Sequence, residues 1–147
     1  MEEVRKQVKK FYQALNQMLA GDPKSFLDLW EQSEDVTLML SLGEKEKGIK
    51  SVGKICEQVS SVLGSSPAKI QVEPHEYQVH RNGNLAYAVI LERSISTMDG
   101  RKAESANRST LIFSLKEKHW KVVHVHNDNI TPTQETLSYI LRHKNLV

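Results

Sequence analysis

The sequence predicts an α+β fold, and three observations carry that prediction. Apolar residues recur at helical spacing through most of the first 64 positions. Strand-forming runs separated by turn signals then occupy positions 69 to 128. The last of these runs, RSTLIFSLKEKHWKVVHVHND over 108–128, reads as a hairpin whose two faces are both largely apolar. A sheet with one wet face would not show that, so the hairpin should be covered by the chain's own helices on one side and by something else on the other. With 147 residues, 39% hydrophobic and 26% charged, the chain is expected to fold as one domain over 1–147 and to bury a core without staples.

The first helix is expected over residues 3–19, where Val4, Val8, Phe11, Leu15 and Met18 follow steps of three and four, widened by Tyr12 and Leu19. Gly21 ends it. Asp22-Pro23 starts a short second helix with Phe26, Leu29 and Trp30 on one side. Val36–Leu42 is a strand, followed by the charged loop GEKEKG. Ile49, Val52, Ile55 with Cys56, Val59 and Val62 with Leu63 make a third helix closed by Gly64.

Turn chemistry organises the second half of the chain. Asn82-Gly83, Asp99-Gly100 and the Lys116–His119 loop separate strands at roughly 69–81, 84–97, 102–115 and 120–128, an antiparallel meander. Thr131-Pro132-Thr133-Gln134 matches a capping box and opens a C-terminal helix over 131–143, within an extension at 131–147. Pairing the strands from their turns sorts them into two faces. One collects Tyr87, Val89, Arg108, Thr110, Ile112, Val123, Val125 and Asn127; the other collects Ala86, Ala88, Ile90, Leu111, Phe113, Val122, His124 and His126. The first mixes apolar groups with a guanidinium, a phenol, a hydroxyl and an amide, as a small-molecule pocket does. The second carries alanines that permit close approach of another layer.

Several classes are set aside. Twenty basic and 18 acidic residues lie scattered along the chain, with no basic stripe interleaved with aromatics, so nucleic-acid binding is not expected. The single cysteine, Cys56, cannot form an internal disulfide, and no Cys/His zinc spacing occurs. Cys56 reads as an inert packed thiol. No apolar run is long enough to span a bilayer and no signal-peptide pattern opens the chain, so no membrane partner and a cytoplasmic location are expected. His124-x-His126-x-Asp128 has the ligand types of a metal triad, but two hydrogen-bonded histidines at a sheet interface explain it more simply, and neither metal nor cofactor is expected.

Three helices threaded around an early strand, then a long meander ending in HWKVVHVHNDN, resemble the nuclear transport factor 2-like superfamily, which includes SnoaL-like cyclases and ketosteroid isomerases. Trp120, the His124-Val125-His126 step and Leu85-Ala86-Tyr87 after a hairpin turn are most similar to the association domain of calcium/calmodulin-dependent kinase II. The resemblance covers about residues 2–129. It implies a cone-shaped, curved, mostly antiparallel sheet wrapped around the N-terminal helices, a cavity at the wide end, and a homodimer packed through the sheet's outer face. It would direct Tyr87, Arg108, Thr110 and Asn127 toward the cavity and His124 and His126 toward a partner subunit. Tyr12 and Trp30 are candidates to line the cavity from the helices. Arg108 would either hold an anionic group or pair with Glu92 or Glu104. Asp35 and Asp128 are the carboxylates considered for acid–base work, and no catalytic base is assigned. The expected function is therefore a SnoaL-like domain whose cavity takes a small, partly apolar molecule, with a cofactor-independent isomerase, cyclase or hydrolase, or an oligomerisation module, as alternatives.

Overall fold

The computed structural model describes residues 1–41, 44–130 and 142. Among these residues three helices, α1 (Glu2–Leu19), α2 (Lys24–Asp28) and α3 (Ile49–Gly64), accompany six strands: β1 (Thr37–Met39), β2 (Lys45–Lys47), β3 (Lys69–Asn82), β4 (Leu85–Met98), β5 (Arg101–Lys116) and β6 (His119–Asn129). The strands form one curved sheet in the order β2-β1-β6-β5-β4-β3, antiparallel except where β1 runs parallel to β6. The α+β class, the helices before the meander and its turns are as expected. The charged loop after β1 holds β2, a strand too short and polar for its pattern to register. Of the strand expected at Val36–Leu42, only Thr37–Met39 pairs, and residue 42 lies outside the described residues. The capped helix expected at 131–143 falls outside them as well.

The helices cover one face of the sheet. The buried face of α1 carries Val4, Val8, Phe11, Tyr12, Ala14 and Met18, the stripe that its spacing implies. On α3 the buried positions are Val52, Cys56 and Ser60, each four residues after the last, while Val62 turns to solvent. Ser60 can be buried because its hydroxyl donates to the Met18 carbonyl at 2.6 Å. Where α3 ends, Gly64 lies so close to the turn after α1 that a Cβ would come within 2.7 Å of the Gly21 Cα.

Strand β4 alternates strictly, with Ala86, Ala88, Ile90 and Glu92 buried and Leu85, Tyr87, Val89 and Leu91 exposed. The helices therefore cover the alanine face. Two bulges bend the sheet around them, one where His75 interrupts β3 between Pro74 and Glu76, the other where Val123 of β6 lies opposite the Ile112–Phe113 step. The second bulge reverses the alternation of β6: Val122 packs inward opposite Phe113, and beyond it Val125 and Asn127 face inward, opposite Leu111 and Ser109. A register extrapolated from the turn cannot see this, and it misplaces every β6 residue past Val123.

A buried carboxylate at the end of an apolar cavity

The inward residues of the three central strands change character at the same level. On β4 the series runs Ala86, Ala88, Ile90, Glu92; on β5 Phe113, Leu111, Ser109, Asn107; on β6 Val122, Val125, Asn127. The apolar part continues the core. The polar part ends a partly open cavity of about 160 Å³, lined by Phe11, Leu15, Met18, Leu19, Phe26, Leu38, Leu40, Cys56, Val59, Val72 and Val125, with Glu92, Asn107, Ser109 and Asn127.

Glu92 is the centre of that polar end and is only 4% exposed. The Tyr12 hydroxyl, brought in by α1, donates to its Oε2, and Asn127 Nδ2 donates to its Oε1 at 2.7 Å. Desolvation pushes the Glu92 carboxyl above the usual carboxylate range, and the side chains of Tyr12, Asn127, Asn107 and Ser109 pull it back only partly. Burial first, and then the neighbouring Glu92, push the Tyr12 phenol up, so it remains a neutral donor. Asn107 and Ser109 stand beside the carboxylate, yet Asn107 Oδ1 and Ser109 Oγ are buried with no hydrogen-bond partner among the described residues. Cys56, in the cavity wall, is pushed up to about 12, chiefly by burial, and stays a thiol at neutral pH.

The candidate residues read from the sequence divide between two places. Tyr12 and Asn127 meet at Glu92. Trp30 is fully buried and stacks edgewise on Phe26 with centroids 6.2 Å apart, but it belongs to the core beneath the cavity. Tyr87, Arg108 and Thr110, expected in the cavity, sit on the opposite face of the sheet, because the helices cover the alanine face and leave theirs outward. There Tyr87 stacks on His80 at 4.8 Å, and Arg108 forms a bidentate pair with Asp128 at 3.0 and 2.7 Å rather than with Glu92 or Glu104. Thr110 and His126 are opposite each other in the same outer row. His124 also faces out, its Nδ1 2.6 Å from Thr37 Oγ1, and burial lowers its pKa, with His126 adding to the effect. No group of three His, Cys, Asp or Glu side chains among the described residues could hold a metal ion.

Of the two carboxylates considered from the sequence, Asp35 is exposed in a loop and Asp128 is engaged by Arg108. Glu92, Asn107 and Ser109 were not among the sequence candidates for the cavity. A signal was present: Glu92 shares the parity of Ala86, Ala88 and Ile90.

A curved sheet that wraps its helices and closes a cavity against them defines a nuclear transport factor 2-like domain. The chain belongs to the SnoaL-like domain family, whose model matches residues 4–127. Solved structures repeat the fold at low identity. A protein with a cystatin-like fold from Caulobacter vibrioides is 18% identical with a TM-score of 0.73, covering 96% of each chain. An NTF2-like protein of unknown function from Pseudomonas putida is 19% identical with a TM-score of 0.72, covering 86% of this chain and 84% of that one. The CaMKII hub of S. rosetta is 18% identical with a TM-score of 0.68, covering 87% and 95%. The resemblance to the kinase association domain thus holds at the level of fold. No curated protein matches the chain. Among the described residues no helix is long and apolar enough to cross a membrane.

Proposed function

We propose that the chain is a small-molecule binding domain, which takes a compact, mainly apolar ligand into the cavity and orients it by the polar cluster at Glu92. The observation that carries this reading is the pairing of an apolar chamber with buried polar atoms lacking partners at one end. Such atoms cost roughly 1–3 kcal/mol each when left unsatisfied, and a bound molecule supplies what they lack. Tyr12 and Asn127 position Glu92 in this reading, whereas Arg108, Tyr87 and Thr110 serve the outer face.

A second reading is cofactor-independent acid–base catalysis, which the raised pKa of Glu92 favours. It ranks below binding because Glu92 has no second acid–base group beside it among the described residues: burial holds Tyr12 and Cys56 protonated. The outer face supports a homodimer, since Leu85, Tyr87, Val89 and Leu91 line up exposed along β4. That the hub of S. rosetta shares the fold fits an assembly role alongside it. A buried, unpaired Cys56 is in keeping with a cytoplasmic setting.

Native mass spectrometry of protein purified without added ligand tests the proposal. An adduct lost on denaturation, and absent from Val59→Phe, whose ring would occupy the cavity, is the expected result. Equal adducts on both proteins would place the ligand elsewhere and overturn the reading.

A further inference from the structure

The polar end of the cavity is unbalanced in charge and in hydrogen bonding, and both imbalances select the same kind of guest. None of the described residues lining the cavity is Lys, Arg or His, although one of them is a buried carboxylate. Arg93, next in sequence, is on the other face of β4, 3.9 Å from Glu73 and 3.9 Å from Glu104. Hydrogen bonding points the same way. Tyr12 spends its one donor and Asn127 one of its two on Glu92, one to each oxygen. What remains is mostly acceptor capacity, in Asn107 Oδ1, the lone pairs of Ser109 Oγ and the second lone pair of each carboxylate oxygen, beside a few donors, the Ser109 O–H and the remaining amide N–H groups of Asn127 and Asn107. A site with spare acceptors, a carboxylate and no cation repels anions and favours a molecule that donates.

Size narrows the class further. A cavity of about 160 Å³ is close to the ~150 Å³ apolar cavity that holds benzene. One ring or a short branched chain fits it.

Building on the binding function proposed above, we propose that the cavity accepts a small protonated amine with a compact apolar body, its ammonium held by Glu92, Asn107 Oδ1 and Ser109 Oγ. The body rests against Phe11, Leu15, Met18 and Val125. An ammonium supplies up to three donors to these acceptors and neutralises the buried carboxylate, offsetting its desolvation. Among the described residues the titratable groups lining the cavity at this point are Glu92 from β4, Tyr12 from α1 and Cys56 from α3, while His75, Arg93 and Glu104 line a neighbouring pocket that shares Glu92 and Asn107. Burial holds Tyr12 and Cys56 protonated. Affinity for the amine therefore strengthens with pH as Glu92 ionises.

Calorimetric titration of the wild-type protein with benzylamine, benzyl alcohol and benzoate at neutral pH is the test. These probes share one ring and differ in the polar group. Benzylamine is expected to bind about tenfold or more tightly than benzyl alcohol, as a charge-assisted hydrogen bond exceeds a neutral one, and benzoate is expected not to bind. Glu92→Gln should remove the advantage of the amine while the alcohol still binds. Benzyl alcohol or benzoate binding as tightly as benzylamine would overturn the amine assignment and leave the cavity reading standing. If none of the three binds, the small-molecule reading falls and the assignment with it. The wild-type selectivity decides the matter by itself should the variant not fold.

Discussion

Replacing Tyr12 by Phe isolates the hydrogen bond on which the buried carboxylate depends. The ring is buried and keeps its packing, edge-on to Phe11 at 5.2 Å, so the variant loses little except the hydroxyl that donates to Glu92 Oε2. A hydrogen bond to a charged group contributes about 1.5–3 kcal/mol and one to a neutral group about 0.5–1.5 kcal/mol. The deficit should therefore be near 2 kcal/mol where Glu92 is ionised and about 1 kcal/mol where it is protonated. At roughly 2–4 °C per kcal/mol for a domain of this size, the first figure corresponds to a fall in Tm of about 4–8 °C. The sign with pH is set by linkage. Because burial raises the folded-state pKa of Glu92, the native protein holds this proton more tightly than the unfolded chain does. The associated stability is present at acid pH and is lost as pH rises through the folded pKa. Removing the Tyr12 donor raises that pKa further, so the variant loses more stability on going alkaline and its deficit widens. Urea unfolding of both proteins at about pH 5 and about pH 8.5, compared through their midpoints at equal m, measures this. A deficit that stays constant or shrinks toward alkaline pH, or one below about 0.5 kcal/mol at both, would refute the account of Glu92 as a carboxylate held by Tyr12.

Three further outcomes are expected. Gly64→Ala should destabilise by about 1–3 kcal/mol in thermal unfolding. An alanine in a helix is ordinarily better than glycine by about 1 kcal/mol, but here its Cβ meets the Gly21 backbone at 2.7 Å and the sign reverses. Arg108→Ala should leave ligand retention in the cavity unchanged by native mass spectrometry, since its guanidinium lies on the other face of the sheet. The Asp128 carboxyl, held below its usual range by Arg108, should return toward that range in the variant when followed by NMR titration; the accompanying small loss of stability is present at neutral pH and disappears in acid. Val89→Lys places a charge in the middle of the exposed β4 stripe and should convert the proposed dimer to a monomer by light scattering, with the fold intact by circular dichroism.

The elements were legible because their signals are local. The stripe of α1 is a matter of spacing within 18 residues. The turns declare themselves through residues that accept positive φ: Gly83 at +64°, Gly100 at +76°, and the pair Glu117 and Lys118 at 49° and 68°. The last pair carries no glycine, so there the loop's length and polarity were the guide. The cavity was not legible in the same way. By hydropathy the Leu85, Tyr87, Val89 and Leu91 side of β4 looks more like a buried face than the Ala86, Ala88, Ile90 and Glu92 side, yet it is the latter that the helices cover. On that side the alanines leave room for the helices, and Glu92 meets Tyr12 and Asn127 there.

By itself, then, the sequence determined the α+β class, the helices before the meander, the turns that divide the strands and the family resemblance, all of which rest on contacts between near neighbours. The tertiary structure alone decided which face of the sheet is the inside and what stands at its polar end. A bulge at Val123 shifts β6 by one residue and turns Val125 and Asn127 inward. Glu92 can be buried only because its donors arrive from 80 residues before it, on α1, and 35 after it, on β6. A lone glutamate in a strand reads as a surface residue until those partners are in place, since the free energy that keeps a carboxylate out of water is set by what surrounds it in space.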